Sequence, residues 1–411
     1  MTEHPFALSV LAWPAIAILI VGFTISICFT RRPVLSCSIA TLKAGLFLLY
    51  FGVFFDGTYT FLDDWRYLRV GELLASRHIG VFNFLHNYQY VLSTVESVNL
   101  SYYIYNASSI ELFGAGYYAP VAVNILLTFL AAGLLMKVAK AGLGMSERTS
   151  IGLFAFLALG PSILAWSTVT NLKDILVATG TAGVVYAVAL ADSGKLWRAA
   201  LVAIAGGFVL MLTRFYVPLT LGAAFGIALL FSRRGRRSPW LWLLAILALA
   251  EVVRVLGHNS LTGALHNLRA NAGNPVTGIV RFVVTPIPFH TAPGYGFLDL
   301  PQLIYWLLLP FEVYGMVTVW RKKTLTGHFL VIYFLVMTAL YGVLTSLQGP
   351  RHRIQIDGLI VIFQYYGILA LFKQRFRLAR RIRAVPADRT EPRRRQGKAH
   401  AGAFPQPERG A

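Results

Sequence analysis

The chain is a series of long apolar runs separated by short polar loops, and that pattern leaves few folds open. The runs fall at roughly 7–29, 41–55, 118–136, 150–168, 175–191, 199–213, 215–231, 240–256, 301–320, 328–346 and 354–372. Lipid offers no partners to backbone N–H and C=O groups, so runs of this length cross a bilayer as helices that satisfy their own backbone. The expected fold is an all-α polytopic membrane protein with about eleven transmembrane helices, forming one bundle over 1–372. Some runs are shorter than the ~20 residues of a straight crossing. The pair 199–213 and 215–231, interrupted by Arg214, reads equally as two spans or one broken element. Hydrophobic residues make up 56% of the chain and charged residues 13%, where soluble domains carry about 25% charged. A pair of soluble domains is excluded.

The net charge of +20 does not point to nucleic acid, because of where it lies. Residues 373–411 hold 12 Lys/Arg against 3 Asp/Glu, so about +9 sits in one tail. That tail is poor in apolar residues and reads as a disordered basic segment held near anionic lipid. The other basic clusters are Arg31-Arg32, Lys137/Lys140/Arg148, Lys195/Arg198, Arg233-Arg234-Gly-Arg236-Arg237 and Arg321-Lys322-Lys323. Eleven crossings put all of them on one side, which the positive-inside rule makes cytoplasmic, in a plasma (inner) membrane. The N-terminus then lies outside. With it go the loop 56–117, the turn Thr170–Asp174, the Arg214 bend, the loop 257–300 and the turn Gln348–Arg353. Cys28 and Cys37, placed at the end of the first run and in the loop after it, give no disulfide framework or metal spacing. Arg31-Arg32-Pro33 follows the first run without a small-residue cleavage pattern, so the run reads as an anchor.

The 56–117 loop is too long for a plain connection. Arg66, Arg69, Glu72 and Ser76 recur at helical spacing, and Tyr67, Val70 and Leu74 do so on another face. The outer first loop therefore carries an amphipathic helix expected to lie on the bilayer surface, with Asp63 as its N-cap. Asp63 and Asp64 stand just past an apolar run. A partly desolvated carboxylate there can take a proton from a hydroxyl, and its neighbour can hold a metal or orient an acceptor. Asp56, before Gly57, reads as a turn residue. Lys173 and Asp174 sit in a tiny turn on the same face. Arg214, Arg351, His352 and Arg353 are outer-face cations that run against the charge rule, and arginine forks suit phosphate oxygens. Glu312 lies mid-run, where a carboxylate is a functional candidate. Glu251 has Arg254 beside it, Asp357 sits one turn after Arg353, and His290 reads as structural. Asn99-Leu-Ser101 and Asn106-Ala-Ser108 are glycosylation sequons on the outer side.

Together these residues resemble the GT-C superfamily of integral membrane glycosyltransferases, which use polyprenyl-phosphate-linked sugars. The likeness spans roughly residues 42–372. It rests on Asp63-Asp64-Trp-Arg-Tyr67 with Glu72 and Gly80, on Lys173-Asp174, and on Pro350-Arg-His-Arg353 with Ile356 and Asp357. The extra N-terminal run, Asp64 in place of a frequent Glu, and the lack of a soluble C-terminal domain depart from the pattern. The resemblance implies an enzyme that moves a sugar from a lipid-linked donor to a glycan, lipid or protein acceptor on the extracytoplasmic face. Asp63, with Asp64 as the second choice, would be the catalytic base. Tyr67, Lys173, Asp174, Arg214, Arg351, His352 and Arg353 would bind substrate. A divalent cation is the one cofactor left open. Two rivals remain at this stage: an outer-face polysaccharide polymerase and a transporter of lipid-linked glycans.

Overall fold

The computed structural model describes residues 5–95, 100–232, 236–243, 245–247, 250, 272–344 and 349–383, with side chains as far as 373. Apart from an isolated bridge between Ala272 and Leu344, the described secondary structure is helical. Fifteen α-helices frame the bundle and its loops among the described residues. In chain order they are α1 (Leu8–Thr30), α2 (Pro33–Leu49), α3 (Leu62–Ala75), α4 (Tyr88–Val95), α5 (Leu100–Phe113), α6 (Tyr118–Leu143), α7 (Glu147–Ala158) and α8 (Pro161–Val169). Then come α9 (Asp174–Asp192), α10 (Leu196–Thr213), α11 (Tyr216–Phe231), α12 (Pro275–Val284), α13 (Asp299–Trp320), α14 (Leu325–Val343) and α15 (Pro350–Arg383). Residues 1–369 form one compact unit and 370–411 a second.

Eight of the described helical segments are long and apolar enough to cross a membrane, or nine when a bent pair counts as one span. The chain is thus a multi-pass membrane protein. Several boundaries differ from those the apolar runs suggest. The run 150–168 is not one straight span: α7 and α8 meet at 44° across Gly160–Pro161, because proline cannot donate to the preceding turn. The helix before the first loop starts at Pro33, so Cys37 lies inside α2 and not in a loop. It ends in a π-turn, Tyr50–Phe54. Arg214 separates two helices, and α11 has only 16 residues. The run 240–256 and the pair Glu251/Arg254 fall largely outside the described residues, as does Asn99. The last helix does not stop at Phe372; its backbone stays helical to Arg383, which shortens the tail expected to be disordered.

Local chemistry accounts for many helix ends. Pro stands at the first turn of α2, α8 and α12, where its missing N–H costs nothing. Ser146 and Thr324 cap α7 and α14 by accepting from Thr149 and Gly327 N–H. Gly144, at φ 64°, ends α6 in the left-handed conformation. Asp63 does not cap α3. Phe61 occupies that position, and it is Asp64 whose carboxylate reaches back to the Phe61 N–H at 3.3 Å.

Enclosure ranks the helices. The apolar window of α9 is 78% buried and that of α10 only 22%, so α9 is an inner helix and α10 faces lipid. α6 and α9 pack on each other, α1 packs on both α2 and α6, and α11 and α12 lie against α14. Helices α13 and α15 cross very closely at two glycines. A Cβ at Gly315 would collide with the Phe363 carbonyl, and one at Gly367 with that of Phe311. Helix–helix contact in lipid depends on such close approach. At one end of the bundle lie the 143/147, 192/196 and 320/325 connections. They are tied together by Lys322 donating to the Leu143 carbonyl at 2.5 Å and Asp192 accepting from Thr326 Oγ1 at 2.8 Å. The other end holds the first loop and the turns at 170–173, 214–215 and 349–350.

Gly315→Ala and Gly367→Ala should each destabilise the protein by about 1–3 kcal/mol, as overpacking does. Gly45, whose Cβ would meet nothing within 4 Å, should accept Ala with unchanged or slightly higher stability. Thermal unfolding of the purified protein in detergent checks all three.

Candidate functional site

Helix α3 carries the acid pair, and its register separates the two carboxylates. Asp64, Tyr67, Leu68, Gly71 and Leu74 are buried, while Asp63, Arg66, Arg69 and Ser76 are exposed. The amphipathic period expected from the sequence is therefore present, and its buried face lies on α5. Gly71 packs so tightly there that a Cβ would meet Asn106 at 2.7 Å. Consecutive helical residues point 100° apart, so Asp63 faces out over the turn ends while Asp64 faces in.

Asp63 accepts from Arg351 Nη1 at 3.0 Å. The same guanidinium gives Nε to Asp174 Oδ2 at 2.9 Å. The other Asp174 oxygen accepts from Arg214 Nη2 at 2.7 Å and from Gln355 Nε2 at 2.9 Å. Asp174 is 1% exposed. Tyr216 accepts from Arg214 Nη1 at 2.6 Å, and Tyr341 donates to Gln355 Oε1 at 2.7 Å. Four segments far apart in sequence thus meet in one charged cluster: α3, the start of α9, the α10–α11 break and the first turn of α15. Lys173 stands beside them with its ammonium 5.8 Å from the centre of the Tyr67 ring. Tyr67 itself packs edge-on against Tyr102 and Tyr103. His352 is near the cluster, 5.5 Å from the Tyr341 ring, with Nδ1 buried and unpartnered.

Arg353 is not part of this cluster. Residues 351–353 form helical turn rather than loop, so Arg351 and Arg353 point about 200° apart. Arg353 donates to the carbonyls of Val283 and Thr285 at 3.1 and 2.9 Å, bonds Gln302, and lies 3.8 Å from Asp357. It holds the 283–302 segment to α15. Asp357 also accepts from Ser162, at the start of α8. Asp56 accepts from the Thr58 N–H, as a turn residue does. The sequon residue Asn106 is fully buried, donates to the Tyr102 carbonyl and accepts from Asn171. It is closed to glycosylation in this fold.

Behind α3 lies a neutral network that the sequence reading missed. Tyr117 donates to Asp64 Oδ2 at 2.6 Å and accepts from the Asn171 N–H at 3.0 Å. Asn171 Nδ2 bonds the Asp64 carbonyl and Asn106, and Tyr102 donates to its Oδ1. The turn that carries Lys173 and Asp174 is thereby fastened to α3. Asp64 Oδ1 is buried without a partner. Burial raises the Asp64 carboxyl to about 8, against the opposing pull of Tyr117 and Arg351. Of the two acids, the desolvated one is Asp64, not Asp63 as expected. Burial, helped by Arg214, lowers Lys173 to about 8, with Asp174 acting the other way. The cluster counts three cations (Lys173, Arg214, Arg351) against two carboxylates (Asp63, Asp174), an excess of one positive charge. Arg214 Nε is buried with no partner, so donor capacity remains for an anion. Both site carboxylates are given to arginine, and no group of three metal-ligating side chains occurs among the described residues.

Lys43 was also missed, although a lysine inside an apolar run is a visible signal. It is 1% exposed in α2, donates to Thr128 Oγ1 at 2.5 Å and lies over the Phe129 ring at 4.6 Å. Glu312, likewise buried, has Oε2 without a partner.

The elevated Asp64 value carries a stability prediction. A carboxyl whose folded value exceeds its unfolded one stabilises most at low pH, and that stability is lost as pH rises through the folded value. From about pH 4 to about 8 the wild type should lose stability relative to Asp64→Asn, which keeps the neutral form and its hydrogen bonds. Unfolding temperatures measured across that range check the slope. Asp174→Asn should cost about 3–5 kcal/mol at neutral pH by leaving two buried arginines unneutralised, read in the same assay.

No family model matches this chain, and no curated protein and no solved structure matches it.

Proposed function

We propose that this chain is a membrane glycosyltransferase that moves a sugar from a polyprenyl-phosphate-linked donor to an acceptor hydroxyl on the extracytoplasmic face. The observation that carries this reading is Arg351, which joins the exposed Asp63 to the buried Asp174–Arg214 pair. A proton acceptor and an anion-binding site with one surplus positive charge then share one end of a membrane bundle. The sidedness follows from the basic loops at the opposite end. Eleven crossings require α11 and one crossing within 233–271, since the chain leaves α11 at the basic end and Ala272 lies beside Leu344, at the C-terminal end of α14.

In the reaction, the acceptor oxygen attacks the anomeric carbon opposite the phosphate, so configuration inverts. The bond from that carbon to the phosphate oxygen breaks, and its electron pair leaves with the lipid phosphate. The acceptor proton passes to Asp63, the base within reach of solvent and of Arg351. Arg351, Arg214 and Lys173 take up the charge that develops on the leaving group, where fixed cations do most for the rate. Asp174 holds both guanidiniums in place. Asp64 and Arg353 are supports, not reacting groups. A polymerase that joins lipid-linked oligosaccharides would use the same chemistry. The transporter reading draws on Lys43 and Glu312, both buried within spans; transport without a new glycosidic bond would favour it.

Asp63→Asn should lower sugar transfer in membranes by about 10²–10⁴-fold, the usual contribution of a positioned base, at normal expression. Unchanged turnover would remove Asp63 from the mechanism. Comparing cell-envelope glycans by mass spectrometry with and without the protein identifies the transferred sugar.

A further inference from the structure

The connection after α3 turns large apolar side chains away from the protein. Helix α3 itself packs its apolar face on α5 and shows Asp63, Arg66, Arg69 and Ser76 outside. In the turns that follow, Phe82 is wholly exposed and Leu85 is 73% exposed, with Val81, Tyr88 and Leu92 open beside them. Contiguous exposure of this kind marks a contact surface. The backbone here is held in shape. The Gly80 N–H donates to Asn83 Oδ1 at 2.8 Å, Asn83 Nδ2 donates to the His78 carbonyl, and Asn87 Nδ2 donates to that of Asn83. The Val81 N–H donates to Ser108 Oγ of α5 at 2.8 Å. Phe84 and Val91 turn inward to the apolar cluster behind α3, which leaves Phe82, Leu85 and Leu92 pointing out.

That surface runs into the lipid face of a span. Ser108 lies one turn before Leu112 on α5, and Leu112 is 63% exposed. The Leu112 carbonyl accepts from Trp13 Nε1 of α1 at 3.0 Å. Trp13 stands five residues into α1, about 7 Å along it from Leu8, and is exposed with Val10 and Ile16. The end of α5 is thus level with a part of α1 that faces lipid, and the Val81 contact is one helical turn, about 5 Å, from it. The polar chemistry agrees. Residues 73–95 hold Arg77 as their one fixed charge, with His78, His86 and no acid. Arg77 is exposed, its guanidinium 4.2 Å from the centre of the Tyr90 ring. Apolar side chains edged by arginine and tyrosine suit the headgroup layer of a bilayer. We infer that residues 81–92 are seated in the leaflet at this end of the bundle, with Phe82 and Leu85 among the acyl chains and Arg77 at the level of the lipid phosphates. The occupant is phospholipid, because the patch continues a face that lipid already covers. The bilayer contact that the sequence suggests for α3 falls on the segment after it. Backbone bonds at 76–79 join that segment to the end of α3, so the lipid seat fixes one end of the helix that carries Asp63, whether or not the chain transfers sugar.

The test uses the full-length protein in phospholipid nanodiscs, with Cys28→Ser and Cys37→Ser removing its two cysteines. Nitroxides are attached to Phe82→Cys, Leu85→Cys and, on the polar face of α3, Ser76→Cys. Electron paramagnetic resonance then reads collision with oxygen, which concentrates in acyl chains, and with a nickel chelate, which stays in water. Oxygen collision should exceed nickel collision severalfold at 82 and 85, and the order should reverse at 76. Val81→Cys gives the same reading should Phe82→Cys not accumulate. Nickel collision dominant at 82 and 85, as at 76, would place the patch in water and overturn the assignment. Low collision with both reagents, or broadening from a nitroxide on a second copy, would mean that protein covers the patch and would overturn it equally.

Discussion

Asp174 is the residue on which the charged end of the bundle depends. A buried carboxylate loses several kcal/mol of hydration, and so does each guanidinium buried with it. Such a group survives only when its lone pairs are filled. Here both oxygens are occupied, by Arg351 on one and by Arg214 and Gln355 on the other. The helix N-terminus it occupies adds favourable dipole field. The cost of leaving any one partner out forces α9, the α10–α11 turn and α15 together. Asp63 is added at the rim, more exposed and more weakly held.

The same arrangement explains why neighbouring residues of one type have different roles. Asp63 and Asp64 differ by one position, but a helix turns 100° between them. One side chain meets an arginine at the surface. The other is shut in with a phenol and a backbone N–H, and is neutral through much of the physiological range. Arg351 and Arg353 differ by two positions and diverge further still. Any reading that treats each pair as one unit assigns the same chemistry to groups in opposite electrostatic settings.

What the sequence showed well was local. The apolar runs marked most of the spans, the spacing of Tyr67, Val70 and Leu74 marked the inward side of α3, where Tyr67 and Leu74 are buried and Val70 half-buried, and charge placement separated the two ends of the bundle. The singling-out of Lys173, Asp174, Arg214 and Arg351 beside Asp63 came from charges that stood outside that pattern, and the structure brings these five together. The missed parts depend on contacts across long sequence separations. Tyr117, Asn171, Tyr341 and Gln355 are ordinary polar residues in a loop or a span, and only the fold shows what they touch. Gly160-Pro161 was a readable break, yet hydropathy alone ran through it. The error over Asp63 as a cap has a similar origin: either acid could start the helix, and tertiary burial of Asp64 decided which one reached back.

The contrast between fixed and loose parts bears on how a lipid substrate could enter. Helix α10 is among the least enclosed of the described spans, while the turn at its end is clamped by Arg214 to Asp174. Motion of α10 against lipid can therefore occur with little movement of Arg214 at its end. Breaking that ion pair would leave uncompensated charge in a buried site, at a cost of about 3–5 kcal/mol. Sliding small side chains over one another in lipid costs far less, because the hydrocarbon that replaces them is equally apolar. The fold thus separates access from binding. Access is governed by weak packing among alanines and glycines, and binding by a charge network that stays in place while α10 moves.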